Sequence, residues 1–241
     1  MAGMVDAIVG GGGLIQIPAL FSAYPTEAPA RIFGTNKLAS IVGTSSAAWQ
    51  YARRIKVPWA LAAPGVLFAL GGAAVGARGV SILDPTLVRP GVIVLLLAVA
   101  FYTYRRKDFG VAGLAPGAEP PPRWIGWLIA LGIGCYDGLF GPGTGSFFIF
   151  LLIRFAHLDF LHASAVAKLW NAATNLSAIG VFAAVGAVKW EVGALMAVCN
   201  LLGAQVGTYL ALRRGAGFVR HVFLGVVLML VAKLALDWMA G

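Results

Sequence analysis

Charged side chains are scarce in this chain. They make up 11% of its 241 residues, and only nine of them are acidic. A soluble domain usually carries about twice that charged fraction. Hydrophobic residues make up 60%, and the mean hydropathy is +0.86. The shortage of charge excludes a soluble globular enzyme and a disordered chain. Long apolar runs, such as residues 92–101, indicate an all-α polytopic membrane protein instead.

Cysteine and histidine are also rare, with two and three residues. Cys135 and Cys199 both lie in apolar segments, so neither a disulfide framework nor a metal site is expected. The three histidines are not spaced as metal ligands, and no nucleophile elbow or phosphate-loop motif is present. The net charge is +9, but no basic patch is interleaved with aromatic residues, which argues against nucleic acid. We therefore expect a protein that is not an enzyme and holds no cofactor.

The chain aligns with itself at a constant offset of 131 residues. Rare residue types recur at that spacing, which is a stronger sign of duplication than matches among Ala, Gly and Leu. The matched pairs are Asp6 and Asp137, Lys37 and Lys168, and Trp59 and Trp190. We predict one membrane repeat over residues 1–104, a cytoplasmic linker over 105–123, and a second membrane repeat over 124–241.

Each repeat is predicted to contain four helical segments. They span 4–24, 30–52, 57–77 and 86–104 in the first repeat, and 124–156, 160–187, 191–212 and 217–239 in the second. Glycines interrupt the first segment at 10–13 and again at 141–145. Unbroken, residues 124–156 would span roughly 50 Å, against about 30 Å of hydrocarbon. This segment is expected to be one long broken helix, a re-entrant hairpin or two short spans.

Positive charge distinguishes between these topologies, because Lys and Arg accumulate on the cytoplasmic side. If the first segment crosses once, the two sides carry eight and seven basic residues. If it returns to its own side, eleven lie on one side and only Arg31, Arg78, Arg89 and Lys189 on the other. The returning geometry gives each repeat an odd number of crossings. The two repeats are therefore predicted to be inverted, as in many secondary transporters.

The glycine interruptions are the first candidate site. Successive backbone N–H groups in such runs converge on an anion, and a helix that follows adds a positive dipole end. The alternative is that the glycines allow close helix packing. The candidate ligand-binding residues are Gly11, Gly12, Gly13, Gly143, Thr144 and Gly145. Elsewhere, small residues four apart predict packing within the fold or between protomers of a homodimer: Gly72 with Gly76, and Gly203 with Gly207.

One lysine lies inside the second segment of each repeat. Lys37 and Lys168 are each about eight residues into their segment. A charged lysine in hydrocarbon costs at least about 3 kcal/mol and is a functional candidate by default, although a long side chain can also extend to the interface. On helices, their face also carries polar residues that suit an oxyanion or hold helices together. These are Ser40, Thr44, Asn171 and Asn175, with Asn36 adjacent to Lys37.

Asp6 and Asp137 each precede a glycine interruption by four residues. A buried carboxylate could carry a proton in coupled transport. It could equally pair with a lysine or cap the freed backbone, and the residue pattern favours neither.

These motifs resemble the TauE/SafE family of membrane permeases. The resemblance is carried by residues 5–20 with Gly34-Thr35-Asn36-Lys37-Leu38, and by residues 138–145 with Lys168-Leu169-x-Asn171 and Asn175. It implies a multi-pass carrier of the bacterial inner membrane that exports sulfite or small organosulfonates with protons. The short first leg of residues 1–9 departs from the family pattern.

We therefore expect a proton-linked secondary transporter that binds a small sulfur oxyanion within the bilayer. Lys37 and Lys168 would supply positive charge, and the glycine loops would supply backbone donors. A passive anion channel would use the same site chemistry, so the sequence separates the two poorly. A membrane scaffold without transport activity is the third alternative, although it leaves the two lysines without an evident role.

Overall fold

The computed structural model describes residues 1–80, 105, 110 and 119–240. Within these residues the regular secondary structure is entirely helical. The first half contains α1 (Ala2–Val9), α2 (Gly12–Ala23), α3 (Pro29–Arg54) and α4 (Trp59–Arg78). The second half contains α5 (Arg123–Leu139), α6 (Thr144–Ala156), α7 (Phe160–Ala184) and α8 (Trp190–Ala240). The predicted segment 86–104 and most of the linker 105–123 lie outside the described residues.

Local sequence explains where several helices begin and end. Gly10 ends α1 in the left-handed conformation at φ 75°, which glycine adopts without steric cost. Pro29 occupies the first turn of α3, where its missing N–H is harmless. Asp159 caps α7, because its carboxylate accepts hydrogen bonds from the backbone N–H groups of Leu161 and His162.

The first segment of each half is divided into two helices at its glycine interruption, as the sequence predicts. Gly141 and Gly143 both have positive φ, at 87° and 79°, so the chain turns sharply between α5 and α6. The predicted segments 191–212 and 217–239 are two helical stretches of α8 that meet at a kink between them. Gly215 is its one non-helical residue, with φ 78° and ψ −175°, and it marks a kink.

Glycines bring helices of opposite halves into backbone contact. A Cβ atom on Gly72 or Gly76 of α4 would overlap the carbonyl oxygens of Leu131 and Cys135 on α5. Likewise, a Cβ atom on Gly207 of α8 would lie 2.5 Å from the carbonyl oxygen of Met4 on α1. The small-residue pairs therefore pack inside the fold, where the absence of side chains lets helices approach closely.

Large apolar side chains cover the outside of the bundle. On α4, Leu67 and Val75 are 70% and 64% exposed, and on α8 Leu195 and Leu202 are 70% and 65% exposed. Exposed tryptophans lie near helix ends, where aromatic rings favour the interface between lipid and water: Trp49, Trp59, Trp124 and Trp190. Such a surface suits lipid rather than water.

Two of the described helices are long and apolar enough to cross a membrane: Trp59–Arg78, and Trp190–Val226 within α8. The 12-residue α2 and 13-residue α6 are apolar but shorter. With 26 and 25 residues, α3 and α7 would span roughly 38 Å. This length is sufficient for a membrane crossing. Their buried polar residues give both helices a composition that resembles that of an internal helix.

The tight contact between α4 and α5 predicts opposite effects for two glycine substitutions. Gly76→Ala is expected to lower stability by about 1–3 kcal/mol, because its methyl group has no space beside Cys135. Gly132→Ala on α5 is the matched control. Nothing lies within 4 Å of its added Cβ atom, so it should be neutral or stabilising by up to about 1 kcal/mol. Thermal unfolding of both variants in detergent measures the difference, and equal stabilities would contradict the packing described.

Candidate functional site

The two intramembrane lysines are buried in the protein rather than extended to its surface. Lys37 on α3 is 3% exposed, and Lys168 on α7 is fully buried. A buried ammonium group is costly unless a counter-ion and hydrogen bonds compensate for its lost hydration. Each lysine finds its counter-ion in an aspartate of the opposite half.

Lys37 pairs with Asp137 at the end of α5. Its Nζ lies 2.5 Å from Oδ1 of Asp137. The hydroxyl of Thr144 donates to the same Oδ1 at 2.5 Å and also lies 2.8 Å from the carbonyl oxygen of Gly141. Thr144 is the first residue of α6, so this ion pair connects α3 to both sides of the second glycine interruption.

Lys168 pairs with Asp6 on α1. Its Nζ lies 3.6 Å from Oδ2 of Asp6 and donates a hydrogen bond to the backbone carbonyl of the same residue. The Asp6 carboxylate also accepts the N–H of Gly12 at 3.3 Å and the hydroxyl of Thr44 at 3.1 Å. Asp6 therefore caps the freed backbone of the first interruption in addition to neutralising the lysine.

Each of the two ion pairs joins a lysine of one half to the aspartate of the other half. At an offset of 131, Lys37 and Asp137 correspond to Lys168 and Asp6, so each half supplies the cation of one pair and the anion of the other. Of the roles that the sequence left open for the aspartates, the structure contains two: both aspartates pair with a lysine, and Asp6 also caps freed backbone. Together the four groups carry no net charge when all are ionised.

A small polar cavity of about 10 Å³, with room for roughly one water molecule, lies between the two glycine interruptions. Most of the residues predicted from the sequence meet there, from both halves of the chain. Its lining consists of Asp6, Gly10, Gly13, Asn36, Lys37, Ser40, Asp137, Gly141, Thr144, Gly145, Asn171 and Asn175. Lys168, Thr44, Gly11, Gly12 and Gly143 were also predicted to bind the ligand, but they do not line this cavity.

Three residues that line the cavity carry buried polar atoms that have no hydrogen-bond partner among the described residues. These atoms are Oδ1 of Asn36, Oδ2 of Asp137 and Nδ2 of Asn175. All three residues are more than nine-tenths buried. A buried polar atom without a hydrogen bond destabilises the folded protein. A ligand or water molecule that forms this bond removes the penalty and is therefore bound more favourably.

Three further residues support the site although the sequence analysis did not select them. Gln16 on α2 accepts a hydrogen bond from Ser40 at 3.3 Å. The hydroxyls of Tyr136 and Ser146 donate to the carbonyls of Pro142 and Val9 at 2.5 and 2.7 Å, which satisfies backbone freed by the interruptions. The sequence could have identified these three residues, because each is a polar residue near a glycine interruption in an otherwise apolar segment.

The described part of the chain contains no group of three or more His, Cys, Asp or Glu side chains arranged to hold a metal ion. The two cysteines are free.

An apolar exterior, helices interrupted by glycines and an interior of buried charge together define a helical membrane protein. The family model of the sulfite exporter TauE/SafE matches residues 1–234. The chain belongs to this family, and it is a membrane transporter.

Curated relatives match along almost the whole chain. A probable membrane transporter protein, ORF9 of a Sinorhizobium species, is 38% identical over 238 residues, covering 98% of this chain and 89% of the relative. The probable membrane transporter protein YfcA of Escherichia coli K12 is 32% identical over 241 residues, covering 98% and 87%. A probable membrane transporter protein of Haemophilus influenzae is 30% identical over 242 residues, covering 98% and 91%. No solved structure is significantly similar to the chain.

The pair formed by Asp6 and Lys168 predicts a measurable coupling. Asp6→Asn and Lys168→Gln should each destabilise the protein by about 3–5 kcal/mol, because each leaves a buried charge without its counter-ion. The double variant should lose less than the sum, by about 0.5–3 kcal/mol. Chemical unfolding in detergent of the four proteins measures this cycle.

Lys56→Gln is the control for the loss of a lysine, since Lys56 is exposed and should change stability by less than about 0.5 kcal/mol. Strict additivity of the two buried substitutions would contradict a direct interaction between Asp6 and Lys168.

Proposed function

We propose that this protein is a secondary transporter that exports a small sulfur oxyanion, such as sulfite or an organosulfonate, across the bacterial inner membrane. Transport is coupled to protons and proceeds by alternating access. The observation that carries the proposal is the polar cavity between the two glycine interruptions, which is lined by the buried ion pair of Lys37 and Asp137. A buried titratable pair beside unpaired polar atoms is a ligand site of the kind found in transporters.

The donors around the cavity suit a tetrahedral or pyramidal oxyanion. Lys37 supplies an ammonium group, and Asn171 and Asn175 supply amide donors from the facing helix. Charge-assisted hydrogen bonds to an oxyanion are roughly twice as strong as neutral ones. The description of the family as sulfite exporters agrees with this donor set, whereas the names of the relatives specify no substrate.

Contacts at one end of the bundle support the inverted arrangement of the two repeats. Glu27, in the loop before α3, binds Lys189, in the loop before α8, and lies 3.1 Å from Arg31. The hydrogen bond from Lys189 holds the pKa of Glu27 below its ordinary value.

The loop before α3 in one half therefore meets the loop after α7 in the other. Since α3 and α7 are equivalent helices that would each cross once, their corresponding ends lie on opposite sides. This is the relation expected for inverted repeats. A single crossing of the first segment would instead put Arg31 and Lys189 on opposite sides.

The distribution of the charges supports alternating access. The lysines lie on α3 and α7, whereas the aspartates lie on α1 and α5. We place the movement between these two sets of helices, so that every step that opens the cavity changes a distance between a lysine and an aspartate. The glycine interruptions supply the hinges, because they already lack helical backbone hydrogen bonds.

The flux of labelled sulfite into proteoliposomes tests the proposed function. Lys37→Ala should reduce transport roughly 10- to 100-fold, because a hydrogen bond to a charged group is worth about 1.5–3 kcal/mol. Lys168→Ala should also reduce transport, through the loss of the counter-ion of Asp6. Lys56→Ala, at an exposed position, should leave the flux unchanged. Unimpaired transport in both buried variants would defeat the assignment of the site.

Cysteine labelling tests the inverted topology. In a background with Cys135→Ala and Cys199→Ala, Thr26→Cys and Val185→Cys should both react with an impermeant maleimide in intact cells. Arg213→Cys should react only after permeabilisation, because it lies on the opposite side. Labelling of positions 26 and 185 from different sides would overturn the inverted arrangement.

A further inference from the structure

The two ion pairs are related by the repeat but are not equivalent in their surroundings. Asp6 is saturated, because its carboxylate contacts Lys168, Thr44 and the N–H of Gly12. Asp137 is not. Lys37 and Thr144 both contact its Oδ1, whereas its Oδ2 is buried without a hydrogen-bond partner among the described residues.

The two lysines also differ in their position relative to the cavity. Lys37 lines the cavity, and so does its counter-ion Asp137. Lys168 does not line the cavity, is fully buried and donates to the backbone of Asp6, although Asp6 itself lines the cavity. Both members of the pair of Lys37 and Asp137 therefore line the cavity, whereas only the aspartate of the other pair does.

We propose that Asp137 is the proton carrier, that one proton moves together with each monovalent anion, and that Asp6 and Lys168 form a fixed structural pair. This inference rests on the proposed function. When Asp137 is ionised, it neutralises Lys37, and an entering anion finds no uncompensated cation. Addition of a proton to Oδ2 makes the carboxyl group neutral and leaves the charge of Lys37 to the anion.

Two residues that line the cavity carry polar atoms suited to the products of this exchange. Oδ1 of Asn36 and Nδ2 of Asn175 are buried without a hydrogen-bond partner among the described residues, so the first can accept the new O–H of Asp137 and the second can donate to the anion. The other charged or titratable groups packed around the cavity are Asp6 from α1, Lys168 from α7 and Tyr136 on α5. Asp6 and Lys168 compensate each other, and Tyr136 donates its hydroxyl to a backbone carbonyl.

The charge balance determines how transport responds to voltage. The empty cavity holds Lys37 as a cation and Asp137 as an anion. The loaded cavity holds the same cation, a neutral carboxyl group and one monovalent anion. Both states have zero net charge, so the cycle is electroneutral. Proton and anion travel in the same direction, and the outward gradient of the anion itself drives export.

Proteoliposomes loaded with labelled methanesulfonate test this coupling, since that anion remains monovalent and does not carry a proton itself. In the wild type, a pH gradient should drive transport, and a potassium diffusion potential should have no effect. Asp137→Asn should lose the response to the pH gradient and become driven by the potential. Asp6→Asn, its counterpart in the repeat, should keep the pH response despite a lower thermal stability. Transport driven by voltage in the wild type, or uncoupling by Asp6→Asn alone, would overturn the proposal.

Infrared spectroscopy of the purified protein supplies a readout that does not depend on the substrate. The band of a protonated carboxyl group should titrate with pH in the wild type and in Asp6→Asn, and disappear in Asp137→Asn. In Asp137→Glu, which retains a carboxyl group if Asp137→Asn does not fold, the band should move. A titrating band that is unchanged in both Asp137 variants would refute the assignment. If the wild type moves neither sulfite nor methanesulfonate, the proposed function fails, and the infrared result still decides whether Asp137 binds the proton.

Discussion

The structure depends on two buried ion pairs, each formed between opposite halves of the chain. A lysine in hydrocarbon is costly without a counter-ion, and so is an aspartate. Neither half can bury its own charged residues alone, because the lysine of each half is neutralised by the aspartate of the other. The same constraint that holds the halves together therefore places four titratable groups next to a cavity in the interior of the protein.

The glycine interruptions make this arrangement possible. The helices α1 and α5 end where the chain turns. Residues around each turn line the cavity and include glycines, a carboxylate and a hydroxyl group. The freed backbone remains satisfied, because Asp6, Thr144, Tyr136 and Ser146 form hydrogen bonds with it. Glycine also lets α1 and α5 approach α8 and α4 to backbone distance, so the interrupted helices are held by packing where they lack helical hydrogen bonds.

Duplication of a sequence does not make the contacts of the two copies identical. Both carboxylate oxygens of Asp6 have hydrogen-bond partners, whereas Oδ2 of Asp137 has none among the described residues. In the proposed mechanism one ion pair exchanges its partner and the other stays fixed, so the anion and the proton bind together at a single place.

Composition, periodicity and the repeat determined that the chain is helical, where most helices lie, where they are interrupted and which polar residues lie within apolar segments. Those properties depend on neighbours within one or two helical turns. Only the tertiary structure decided that Lys37 pairs with Asp137 and Lys168 with Asp6, since these partners are 100 and 162 residues apart and their distances depend on how the halves pack. For the same reason, the sequence made the two lysines equivalent, and only packing placed Lys37 in the cavity and Lys168 behind it.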